Sequence, residues 1–68
     1  MEEITVLVRQ AAGALAMTIG ELADAIRTPR RTVYDWSRGE ESPRGAVLLL
    51  LRLIARGKLK REDLEVEV

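Results

Sequence analysis

Along the first fifteen positions, apolar side chains recur at Ile4, Leu7, Val8, Ala11 and Leu15, the three- and four-residue spacing of one helical face. That spacing predicts a helix over about Glu3 to Ala14. The run Ile4-Thr5-Val6-Leu7-Val8 is also rich in β-branched residues, which leaves a short strand over 4–8 open as the alternative. A second helix is expected over about Ile19 to Ile26, with Ile19, Leu22, Ala23 and Ile26 turned inward. Its start is marked by Thr18-Ile19-Gly20-Glu21, a Thr followed three residues later by Glu. In that capping box the hydroxyl and the carboxylate each accept from an amide in the first turn. The helix should stop at Arg27-Thr28-Pro29, because proline disfavours helical geometry in the residue before it. Pro29 then suits the first position of a third helix, with Thr28 as its N-cap.

The third helix is expected over about Pro29 to Arg38, stopping at Gly39, a residue suited to the left-handed position past a helix end. Its apolar positions are Val33 and Trp36, so its buried seam is narrow and its exposed face wide. That face carries Arg30, Arg31, Tyr34, Asp35 and Arg38. After Glu40-Glu41-Ser42-Pro43, a fourth helix should run from about Arg44 to Arg56, before Gly57. At 100° per residue Arg52 and Arg56 share one side, and apolar residues from Ala46 to Ala55 fill the remaining arc. A small helical core covers about half of such a circumference. The side formed by Leu48, Leu51 and Ala55 therefore needs a cover. Either a second copy supplies it, with Leu48, Leu51, Ala55, Leu64 and Val66 at a dimer interface, or the tail folds back through Leu59, Leu64, Val66 and Val68. The tail Leu64-Glu65-Val66-Glu67-Val68 alternates strictly and reads as a short edge strand. No internal repeat or low-complexity stretch is present.

Composition narrows the function classes. Sixty-eight residues suffice for one small domain, and a chain of this size buries only roughly 60% of its extended surface. An apolar share of 47% is too high for a disordered chain, and aromatics at 3% leave the core to aliphatic packing. There is no Cys and no His. Disulfides, a thiolate nucleophile, Cys-type zinc sites and the usual general base are thereby excluded. No charged segment precedes an apolar stretch at the N-terminus, and no apolar run approaches the ~18 residues of a membrane span. A cytoplasmic binding module without cofactor or metal is expected, not an enzyme.

The net charge is zero, but its distribution is uneven. Residues 1–24 set four acidic side chains against Arg9, a balance of −3. Residues 25–61 set ten basic side chains against Asp35, Glu40 and Glu41, a balance of +7, and residues 62–68 carry four acidic ones. A basic centre thus lies between acidic ends. Alternation for solubility alone is one reading; a nucleic-acid footprint on the central segment is the other.

Two short helices joined by a tight turn, the second basic and exposed, resemble a helix-turn-helix unit. Thr18-Ile19-Gly20-Glu21-Leu22-Ala23, then Ile26, then Arg30-Arg31-Thr32-Val33-Tyr34-Asp35-Trp36-Ser37-Arg38-Gly39 and Pro43 resemble the Cro/repressor-like (XRE-type) transcription regulators. The motif covers about residues 18–39, and the looser likeness extends from Val8 to Ile54. The resemblance implies a mostly α fold, four short helices around the helix-turn-helix in a lambda-repressor-like DNA-binding domain over residues 1–57. Residues 58–68 form an acidic tail. Arg27 stands where the family usually has Gly, and Ile19 where many members have a phosphate-binding Gln.

The implied function is sequence-specific binding of double-stranded DNA by a small regulator, a repressor, phage-derived or of antitoxin type. A major groove admits one helix, and residues near its N-terminus reach base edges. Arg30 and Arg31 are accordingly the expected base readers, with Tyr34 one turn on. Asp35 either accepts from a cytosine amino group or tethers Arg31. Thr18, Thr28, Thr32, Arg38 and Arg44 are expected at phosphates. Trp36 either stacks on a base or, from its spacing to Val33, packs in the core. The expected partners are DNA and a second copy, with a toxin or phage component as a further protein partner. The rival readings are a protein–protein adaptor of the same shape and a phage packaging or recombination accessory.

Overall fold

The computed structural model describes residues 4–65. Its elements, all helical among the described residues, are α1 (Ile4–Ala14), α2 (Ile19–Ala25), α3 (Arg30–Ser37), α4 (Ala46–Ala55) and α5 (Arg61–Leu64). The helix expected at the N-terminus is present, and the strand alternative over 4–8 is not. A strand would place Val6 on the same face as Ile4 and Val8. The helix instead buries Leu7, Val8, Ala11 and Ala12 and leaves Val6 46% exposed. Leu15 continues the buried face past the helix end.

Helix α1 closes with Ala16 in the left-handed region (φ 54°), where the Met17 amide donates to the Ala12 carbonyl at 2.9 Å. The six-residue loop-back satisfies carbonyls that the helix end would otherwise leave open. Helix α2 leaves α1 at 80° and starts at the expected capping box. The Glu21 amide donates to Thr18 Oγ1 at 3.1 Å, and the Thr18 amide donates to Glu21 Oε1 at 2.9 Å. Its exit uses the same device as α1: Arg27 stands at φ 56° and the Thr28 amide donates to the Ala23 carbonyl at 2.9 Å. Arginine thus occupies a left-handed position that glycine adopts without strain.

Helix α3 begins one residue later than expected. Pro29 is the N-cap residue, and no side chain caps this end. Thr28 does not take the N-cap role, because its hydroxyl turns back and donates to the Ile26 carbonyl at 3.3 Å. Val33 and Trp36 are buried, and the core reading of Trp36 holds. Ser37 is buried too, its hydroxyl donating to the Tyr34 carbonyl at 2.7 Å. Gly39, at φ 76°, ends the helix as expected.

Helix α1 is the hub. It packs on α2, α3 and α4, while α2 and α3 pack on each other. The core joins Leu7, Val8, Ala11, Ala12 and Leu15 to Leu22, Ala23, Val33, Trp36, Leu51 and Ile54. Small residues at 11, 12 and 23 let the helices approach closely, which a core with so few aromatic rings requires.

Two expectations about the C-terminal half are corrected. Leu51, expected at a dimer interface, is completely buried against α1. Leu48 and Ala55 are half-buried and also pack on the core. The apolar residues that α4 leaves outward are Leu49 (59% exposed) and Leu53 (43%). The tail does not start a strand at Leu64. Residues 61–64 form a helical turn, and the Asp63 carboxylate reaches back to its N-cap residue, accepting from the Lys60 amide at 2.9 Å. Glu62 and Asp63 also suit the positive end of that turn. Leu59 and Leu64 pack on the core as partly buried residues, so this part of the tail folds back within the chain. Val66 and Val68, expected in the same cover, lie outside the described residues.

Candidate nucleic-acid interface

Helix α3 turns only Val33, Trp36 and Ser37 fully inward. Arg30, Arg31, Tyr34 and Arg38 are exposed on its other side, and Thr32 and Asp35 are half-buried. The four expected base readers thus share one element, but they do not share one electrostatic state.

Arg30 is held. Its Nε donates to Asp24 Oδ1 at 3.1 Å and its Nη2 to Asp24 Oδ2 at 2.5 Å, a side-on bidentate pair across the α2–α3 turn. Hydrogen bonding to Arg30 keeps the Asp24 carboxyl below its ordinary range, and the same bonds raise Arg30 further. Both side chains remain 59% exposed, so solvent screens the attraction. The pair fixes a direction more than it adds stability. Beneath the guanidinium lies Gly20: a Cβ built there would stand 3.3 Å from Arg30 Nη1 and 3.3 Å from the Tyr34 hydroxyl. A bare backbone at 20 therefore lets Arg30 and Tyr34 lie side by side over the start of α2.

Asp35 does not tether Arg31. Its carboxylate accepts from Arg38 Nη2 at 2.6 Å, and Arg38 also reaches Glu40 at 3.3 Å. Residues 31 and 38 lie on opposite sides of Asp35 along the helix, and the longer path to Glu40 draws the arginine that can meet both acids. Arg31 makes no ion pair or hydrogen bond among the described residues. It is the unengaged cation of this face.

The expected phosphate set is scattered by comparison. Thr18 is exposed, and its Oγ1 already accepts from the Glu21 amide. Glu21, accepting from the Thr18 amide and then its hydroxyl, titrates below its ordinary value. Thr28 is half-buried and bonded to Ile26. Arg44 is exposed on the connection before α4. Among the described residues no group of His, Cys, Asp or Glu is arranged to hold a metal ion. No single helix there is long and apolar enough to cross a membrane.

Two residues of this surface escaped the sequence reading, Asp24 and Gly20. Gly20 carried a usable signal, since a glycine inside a helical pattern often marks close approach. Asp24 carried none, because a six-residue separation across a turn has no fixed geometry in sequence. Compared with protein-family models, curated proteins and solved structures, the chain matches none.

Proposed function

We propose that the protein binds double-stranded DNA in a sequence-selective way, with α2 and α3 acting as a helix-turn-helix and α3 entering the major groove. The observation that carries this reading is the outward face of α3. It offers guanidinium groups in its first turn, at Arg30 and Arg31, on a short helix anchored by Val33 and Trp36. Guanidinium groups at a helix N-terminus are the donors that a guanine edge accepts. The family resemblance supports the same reading and adds the role of a small Cro/repressor-like transcription regulator. Its mechanism is occupancy of an operator, with no reaction step.

Selection from random duplexes followed by a mobility-shift titration tests it. Binding below about 10 µM at low salt is expected, with affinity falling steeply as salt rises because phosphate neutralisation releases counterions. No duplex binding in that range overturns the proposal. Arg31→Ala should reduce sequence preference, whereas Arg44→Ala should weaken all duplexes alike.

A second reading, a protein-binding adaptor of the same shape, is favoured by one observation: Leu49 and Leu53 stand exposed one turn apart on α4. Light scattering separates two occupants of that face. A dimer at tens of micromolar assigns it to a second copy, an arrangement that would set two α3 helices on half-sites one duplex turn apart.

A further inference from the structure

The side-on pairing of Arg30 has a consequence for what its remaining donors can do. A guanidinium carries five N–H groups in a planar fork. The Nε–Nη2 edge is engaged by Asp24, one N–H from each nitrogen. The end edge, formed by Nη1 and the second N–H of Nη2, is left over. Rotation of the group is restricted on three sides. Asp24 holds one edge, Nη1 stands over Gly20 at 3.3 Å from where a Cβ would be, and the Tyr34 hydroxyl stands equally close to that point. The side chain is nonetheless 59% exposed, and the donors of the end edge have no hydrogen-bond acceptor among the described residues.

We propose that Asp24 is a positioning residue for base recognition: it orients the Arg30 guanidinium against Gly20 so that the Nη1–Nη2 edge is preformed to read guanine. The inference rests on the DNA-binding reading above and deepens it. Two parallel donors at this edge match the O6 and N7 acceptors of guanine, which both lie in the major groove. An arginine on a free four-bond stem would lose rotamer freedom on binding; a held one has lost it already. The carboxylate also repels nearby phosphates. Asp24 should therefore lower affinity for arbitrary DNA while raising discrimination, a combination that a purely structural ion pair does not produce.

The test begins with the duplex selected by the wild-type chain. Arg30→Ala identifies the base pair that Arg30 reads, as the position where preference for guanine disappears; a bidentate contact contributes about 5- to 150-fold there. Asp24→Asn, which removes the charge and keeps the shape, should lower preference at that same position by about tenfold. Its affinity for random duplex should be unchanged or higher. In an Arg30→Ala background Asp24→Asn should change that preference no further. Gly20→Ala gives a second arm, because its Cβ would stand 3.3 Å from Arg30 Nη1 and equally close to the Tyr34 hydroxyl, crowding the guanidinium while leaving Asp24 unsubstituted. It should reduce the same preference while helicity is retained by circular dichroism. If Asp24→Asn and Gly20→Ala bind DNA with wild-type preference to within twofold, the positioning role is overturned and the DNA-binding reading survives. If the wild-type chain binds no duplex, or shows no preference, both fall together before any variant is made.

Discussion

Leucines 49 and 51 sit two residues apart on one helix, yet they should respond to the same substitution in opposite ways. Leu51 has no exposed surface and is enclosed where α4 lies on α1, whereas Leu49 is 59% exposed. Truncating a buried leucine to alanine removes its transfer free energy and leaves a cavity, together costing about 2.7–5 kcal/mol. A domain of this length has only about 3–10 kcal/mol of total stability. Leu51→Ala should therefore remove a large fraction of it and lower Tm by at least about 10 °C, since a small domain loses about 4–8 °C per kcal/mol. Leu49→Ala removes little burial and installs the best helix former, so the expected change stays within about 0.5 kcal/mol of zero. Urea titrations read by fluorescence of Trp36, the single tryptophan and itself buried, measure both. Circular dichroism at 222 nm provides a second probe for two-state behaviour. A cost above about 1 kcal/mol for Leu49→Ala that is independent of protein concentration, or below that for Leu51→Ala, refutes the orientation of α4. A cost specific to Leu49 that disappears on dilution instead identifies a second copy on that face.

Three further outcomes are expected. Ala16→Gly relieves a left-handed residue that costs an L-amino acid about 1–2 kcal/mol, against about 0.4–1 kcal/mol of added chain entropy in the unfolded state. A net rise of a few degrees in Tm is expected, and a fall would contradict the assigned backbone. Thr18→Ala should cost about 1 kcal/mol by removing the cap of α2, while Thr18→Ser should restore most of it in the same denaturation assay. Acid should destabilise the protein through Glu21 and Asp24, whose carboxyls titrate below their ordinary values in the fold. That contribution is complete above the unfolded-state carboxylate range and is lost as pH falls through the lower folded values. Urea midpoints between pH 5 and pH 2 should decline less steeply in Glu21→Gln/Asp24→Asn than in the wild type, and equal slopes would remove these two groups from the account.

What could be read from residue order was what depends on neighbours a turn away. The Thr18–Glu21 box, the left-handed Gly39 and the Val33–Trp36 seam all rest on three- or four-residue relations, and all stand in the structure. Helix α4 shows where that reach ends. Arg52 is its only polar residue between Ala46 and Ala55, so periodicity names no buried face there, and docking on α1 decides. The pattern leaves Leu48, Leu51 and Ala55 in need of a cover, whereas Leu51 is enclosed in the core and Leu48 and Ala55 are half-buried beside it. Asp35 illustrates a related limit: Arg31 and Arg38 are both within helical reach, and Glu40, beyond the helix, favours Arg38. The tail alternates like a strand, but Asp63 served as a helix start and Leu64 found apolar cover beside the core. Of the candidate interface, the composition of α3 was legible; the hold on Arg30 was not, because it is made between two helices.

The central place of α1 also governs the order in which the fold can be completed. α2 and α3 follow α1 directly and close short loops, but α4, its other main partner, begins at Ala46, more than thirty positions beyond Ala14. Loop closure over that distance must precede the contacts that reward it. On a translating ribosome the first three helices therefore emerge with the groove on α1 still empty, and the seats of Leu51 and Ile54 are filled only once α4 has followed them out. Nascent chains halted before Ala46 should be protease-sensitive along their full length, and protection should appear in one late step.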